Sequence, residues 1–142
     1  MGQKPRPIWR PVMTSFDYAA LLLRLSVGGL FLAHAYLKYF VFTPKGTTDY
    51  FQSLGVPGYF GLIAIAAETA GGLGLIFGVA TRLAAILLIP LMAGTIVLVH
   101  GKNGFWFTNA GGGWEYPALW IVCLVAIALI GSGSAALWPI WG

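Results

Sequence analysis

Four stretches of this chain are almost free of charge, and each approaches the roughly 20 predominantly apolar residues that a helix needs to cross a bilayer. They run from about Phe16 to Phe42, Tyr59 to Ala80, Leu83 to His100 and Tyr116 to Ile130. Only 8% of the chain is charged and 58% is hydrophobic, where soluble domains carry about 25% charge. Twelve charged side chains are too few to build a water-facing surface, so the bilayer is the solvent. Spans two and three are separated only by Thr81 and Arg82, which forces them to be antiparallel neighbours. The fold class that follows is all-α, an integral membrane four-helix up-down bundle, with residues 1–142 forming a single membrane domain.

Lys4, Arg6 and Arg10 precede span one and Arg82 lies in the tight turn, against Lys45 and Lys102 in the opposite loops. The positive-inside rule therefore places both termini in the cytoplasm. The opposite loops hold most of the interfacial aromatic rings, among them Tyr39, Phe40, Tyr50, Phe105, Trp106 and Trp114, with Trp9, Trp138 and Trp141 on the other face. Between Thr47 and Leu54 the residues read as a short interfacial helix over the bundle mouth, capped by Thr47 or Thr48 and ended by Gly55 and Pro57. The eight basic residues are scattered singly, which excludes nucleic acid as a partner. Cys123 is the single cysteine, so neither a disulfide nor a CxxC redox pair can form within the chain.

An ionisable side chain at the centre of a membrane helix costs at least ~2.5 kcal/mol, so each one requires a partner or a function. Arg24, His34, Lys38 and Glu68 are such residues. At 100° per residue Arg24 and Lys38 differ by about 40° around span one, and His34 falls within about 80° of Arg24. That shared face looks into the bundle or a wet cavity. Glu68 lies roughly 13 Å below the non-cytoplasmic surface and His34 about 10 Å, while Lys38 sits nearer the mouth. His100 and Glu115 reach the same side, and together these residues outline a polar pocket. Arg24 and Glu68 are the expected ion pair, through a long guanidinium or a bridging water. His34 and His100 differ in depth by roughly 9 Å, too much for two axial ligands of one iron, so no metal is expected. Pro90 frees the carbonyl of Ile86 and should kink span three. Gly71, Gly72, Gly74 and Gly78 form a small-residue face for close helix packing.

The order of these residues resembles the DoxX family of small bacterial and archaeal membrane proteins. The resemblance rests on Leu23-Arg24-Leu25, His34 with Lys38, Leu54-Gly55-Val56-Pro57, Ala67-Glu68 ahead of Gly71-Gly72, Thr81-Arg82, Val99-His100 and Glu115-Tyr116-Pro117. It implies four membrane helices, a prokaryotic plasma (inner) membrane location and association with membrane redox systems. Relatives occur as subunits of thiosulfate:quinone oxidoreductases. What the resemblance implies, taken with the polar pocket, is a membrane subunit of a quinone-linked oxidoreductase that works with protein partners. It has no intrinsic cofactor, and a quinone is the expected bound molecule. Glu68 and His34 are the catalytic candidates, as proton carrier and hydrogen-bond donor. Arg24, Lys38, His100 and Glu115 are the substrate-binding candidates. A small sulfur anion such as thiosulfate would instead lie in a cationic cradle of Arg24, Lys38 and His34. The alternative is a non-enzymatic accessory subunit, packed by its glycine face and aromatic belt into a larger respiratory, oxidase or photosynthetic complex.

Overall fold

The computed structural model describes residues 12–140; Lys4, Arg6, Trp9, Arg10 and Trp141, used above for orientation and interface, lie outside them. Thr14 opens the first helix by a capping box. Its hydroxyl accepts from the Asp17 amide at 3.3 Å, while the Asp17 carboxylate accepts from the Thr14 amide at 2.9 Å. Two orphan donors of the first turn are thereby satisfied. Helix α1 (Ser15–Tyr36) continues through a π-helical turn (Leu37–Val41) into a short helix α2 (Thr43–Ser53). Helix α3 (Tyr59–Phe77) ends at Gly78, whose φ of +68° supplies the left-handed cap that glycine tolerates best. Helix α4 (Thr81–Thr95) likewise extends into a π-turn (Ile96–His100), and α5 (Glu115–Ile130) closes the order.

The four longer helices close a ring of neighbours: α1 packs on α3, α3 on α4, α4 on α5 and α5 on α1. Phe31, Leu75, Leu88, Leu124 and Ile127, drawn from all four, fill its centre with essentially no exposure. The outward faces are the reverse of a soluble protein's, with Leu22, Leu87, Val97 and Leu129 largely exposed. Three segments, Ser15–Val41, Tyr59–Phe77 and Thr81–Asn103, are long and apolar enough to cross a membrane. Helix α5 has 16 residues and therefore reaches about 24 Å.

Glycines set how closely the ring is drawn. A Cβ on Gly72 would stand 2.9 Å from the carbonyl oxygen of Gly28, and one on Gly28 would stand 2.8 Å from that of Gly72. The backbones of α1 and α3 thus touch here, as small residues permit. Gly71 receives the Leu88 side chain from α4. The small-residue face expected from the sequence is real, and it is used inside the chain against two different helices.

The short helix is longer than its expected extent, starting at Thr43 with Pro44 in its first turn. Thr47 and Thr48 are consequently interior rather than caps. The Thr47 hydroxyl donates to the Lys38 carbonyl at 2.8 Å and the Thr48 hydroxyl to Pro44. Its end falls where expected, with Gly55 at φ +84°. At the opposite end of the bundle the segment after α5 folds back on the tight turn. The Leu137 amide donates to Phe77 at 3.0 Å and the Ser134 amide to the Asp17 carboxylate at 2.7 Å.

Candidate functional site: a polar cluster in an apolar cavity

A cavity of about 1020 Å³ occupies the end of the bundle beneath α2. Every long helix contributes to its wall, and most of that wall is apolar: Leu37, Phe51, Ile63, Leu91 and Leu98 are among the lining residues. His34, Lys38, Glu68 and His100 also line it. Four of the six residues singled out in the sequence therefore meet in one space.

The Lys38 ammonium lies 2.6 Å from one Glu68 carboxylate oxygen and 2.8 Å from the other. The carboxylate is 7% exposed and the lysine side chain 21%. Neither ion could be desolvated alone at tolerable cost, whereas the contact to both oxygens compensates much of it. This overturns the expected pairing of Glu68 with Arg24. Arg24 and Lys38 are 14 residues apart, roughly 21 Å along the helix, and only Lys38 is level with the carboxylate. The π-turn that carries Lys38 is stabilised by Thr47, whose hydroxyl takes the Lys38 carbonyl. Such insertions cluster at functional sites.

His34 stands one turn below Lys38 with its ring edge-on to Trp120, centroids 5.2 Å apart. Trp120 packs in turn against Phe31 at 5.0 Å. The His34 ring is thus held by apolar neighbours, and among the described residues no protein group takes a hydrogen bond from it or gives one to it. That ring lines the cavity, within reach of whatever enters it.

On the far wall His100 is fixed at both nitrogens. Nδ1 lies 2.9 Å from the Gly112 carbonyl oxygen, which can only accept, so Nδ1 carries the proton. In the neutral ring Nε2 is then the acceptor for the Tyr116 hydroxyl at 2.6 Å. Tyr116 lines the cavity as well and was not a candidate site residue in the sequence; as the second residue of an apolar helix it shows only an interfacial ring until the loop bearing Gly112 is folded. Thr47 was missed in the same way, because a π-turn has no sequence signature.

Arg24 and Glu115 lie outside the cavity. The Glu115 carboxylate accepts from the Phe107 amide at 2.9 Å and so ties the loop before α5. Arg24 is fully buried beside Gly78, and a Cβ on that glycine would collide with its guanidinium. None of its three nitrogens has a hydrogen-bond partner among the described residues. It stands at the C-terminal end of α3, where the helix dipole concentrates partial negative charge. The three-cation cradle of Arg24, Lys38 and His34 is therefore not assembled. Among the described residues no group of three or more His, Cys, Asp and Glu is placed to hold a metal ion.

The architecture defines a class: an apolar helical membrane protein with a buried ion pair beside a cavity. The chain belongs to the DoxX family, whose profile matches residues 19–101, more than half of the chain. It is 34% identical over 125 residues to a Bacillus subtilis protein named "Putative oxidoreductase CatD", covering 88% of each chain. It is 31% identical over 86 residues to the Escherichia coli "Inner membrane protein YqjF", covering 61% of this chain and 65% of that one. A Haemophilus influenzae protein named only as uncharacterized is 32% identical over 122 residues, 84% of this chain and 88% of its own. No solved structure matches. The family, the inner-membrane relative and the three long apolar helices agree on a membrane protein.

Proposed function

We propose that this chain is the quinone-binding membrane subunit of an oxidoreductase system, and that the cavity holds the quinone ring. The observation that carries the reading is the Lys38–Glu68 pair, set in an apolar cavity beside an imidazole with no protein partner. A quinone ring is apolar except at its carbonyls, which accept hydrogen bonds. The Lys38 ammonium and the His34 ring are donors at one wall; at the other the Tyr116 oxygen, whose proton goes to His100, can accept from a hydroxyl of the quinol that reduction forms. Reduction to the quinol takes up two electrons and two protons. The electrons come from a redox partner, and Glu68 with Lys38 is the group able to hold and pass a proton inside the cavity.

In this reading all four long helices cross the plasma membrane, and the positive-inside rule turns the cavity away from the cytoplasm. The sulfur-anion alternative is weakened, because Arg24 faces the other end and Lys38 is already neutralised by Glu68. The accessory-subunit alternative loses its glycine face, since Gly28, Gly71 and Gly72 are consumed in packing within the chain. The test is quinone reduction by native membranes carrying Glu68→Gln at wild-type abundance. Loss of most turnover with the protein still folded is expected. Unchanged turnover would remove the proton role, and loss of the protein or its complex in place of turnover would favour the accessory subunit.

A further inference from the structure

The walls of the cavity part on one side. Helices α3 and α4 leave their tight turn in contact, with Leu88 lying against Gly71 and Ala84 near Gly74. Beyond Leu88 they face each other across the cavity, Ile63 and Ala64 on one side and Gly94 and Leu98 on the other. Two features interrupt the regular hydrogen-bond ladder of α4 here. Pro90 has no N–H for the Ile86 carbonyl, and the helix passes into a π-turn at Ile96. A Cβ at Gly94 would meet nothing within 4 Å. On the α3 side Ile63 lines the cavity and is also 52% exposed, so the apolar lining runs out onto the lipid-facing surface. The end of the bundle is covered by α2, where Thr47 donates to the Lys38 carbonyl and packs against Gly61 of α3.

The polar groups stand at the inner walls, and the volume is at the upper end of the ~300–1,000 Å³ usual for ligand pockets. A bare ring held by Lys38 and His34 leaves the apolar length toward Gly94 unfilled. We infer that the cavity opens sideways into the bilayer between α3 and α4, and that its occupant is lipid-borne, with its ring at the ion pair and an apolar chain lying past Gly94. The chain gains little free energy on leaving lipid for an equally apolar channel. Its part is to keep the molecule in the bilayer at the depth of the gap. This rests on the quinone reading for the identity of the ring, while the opening itself can be tested with no quinone present.

The protein is placed in nanodiscs whose lipids carry bromine midway along the acyl chains, and the fluorescence difference between wild type and Trp120→Phe isolates the indole that lines the cavity. Bromine reaching it through the gap should quench about half or more of that signal, and Gly94→Phe, which fills the gap, should restore most of it. An unquenched Trp120, or quenching indifferent to Gly94→Phe, overturns the lateral opening. In ordinary nanodiscs the same signal then reads binding of a ubiquinone analogue with a decyl chain and of the same ring without a chain. Gly94→Phe should weaken the tailed analogue about tenfold and leave the bare ring within about twofold. Equal effects on both, or none, overturn the placement of the chain. If lipid quenches Trp120 but neither quinone binds wild type, the opening stands and the quinone reading falls.

Discussion

Removing either member of the Lys38–Glu68 pair should have unequal consequences, because the two side chains sit at different depths. Lys38→Met leaves a carboxylate that is 7% exposed with its ion-pair partner gone. Breaking a buried pair from one side costs about 3 kcal/mol or more. At roughly 3 °C per kcal/mol for a chain of this size, the midpoint of thermal unfolding in detergent should fall by about 10 °C. Glu68→Gln leaves instead an ammonium that is 21% exposed and that still has an amide oxygen to meet. Its cost should be nearer about 1 kcal/mol, one ordinary hydrogen bond. Lys38→Met combined with Glu68→Gln removes both charges and should recover most of the loss, leaving a cost of about 1 kcal/mol and giving a coupling energy of about 3 kcal/mol in a double-mutant cycle. Midpoints from size-exclusion-monitored melting supply all four corners. Additive single effects, or a milder Lys38→Met than Glu68→Gln, would refute the argument from depth and pairing.

Arg24 reverses the usual expectation for a buried charge. With no hydrogen-bond partner for its nitrogens among the described residues, Arg24→Met should be neutral or stabilising by about 1 kcal/mol in the same melting assay, whereas Arg24→Ala, which opens a void, should cost about 3 kcal/mol. Gly72→Ala must push its Cβ against the Gly28 carbonyl at 2.9 Å and should cost about 2 kcal/mol, while Gly29→Ala, with nothing within 4 Å, should be neutral or slightly stabilising. Tyr116→Phe deletes the donor to His100 Nε2; NMR of labelled histidine should show a changed His100 ring nitrogen with His34 unaffected, at a stability cost of about 1 kcal/mol.

Hydropathy alone made the helical segments legible, because four apolar runs admit few other structures in a bilayer. It placed α3 at Tyr59 and α5 within a residue of Glu115. Helical periodicity also put His34 and Lys38 on one face, and the cavity uses both. Partner choice was another matter. A wheel of constant pitch ranks Arg24 and Lys38 as near equivalents, since it measures angle well and the reach of a long side chain poorly. The two π-turns then shift the register at the mouth, where Lys38 and His100 sit. Glu115 looked inward by its position before a span, but a free amide at Phe107 in the preceding loop captured it. Loop closure of that kind depends on glycines at positive φ, here Gly104, Gly111 and Gly112, whose combined geometry a linear reading does not contain.

The most direct test of the account is native mass spectrometry of the protein released from its own membrane in mild detergent, wild type beside His34→Leu and Lys38→Met. A quinone should ride with the wild-type chain, alone or with a cofactor-bearing partner, and be lost from both variants while the partner stays. A wild-type chain that carries no such molecule, or variants that retain it as well as wild type does, would contradict the claim that this cavity is a quinone site.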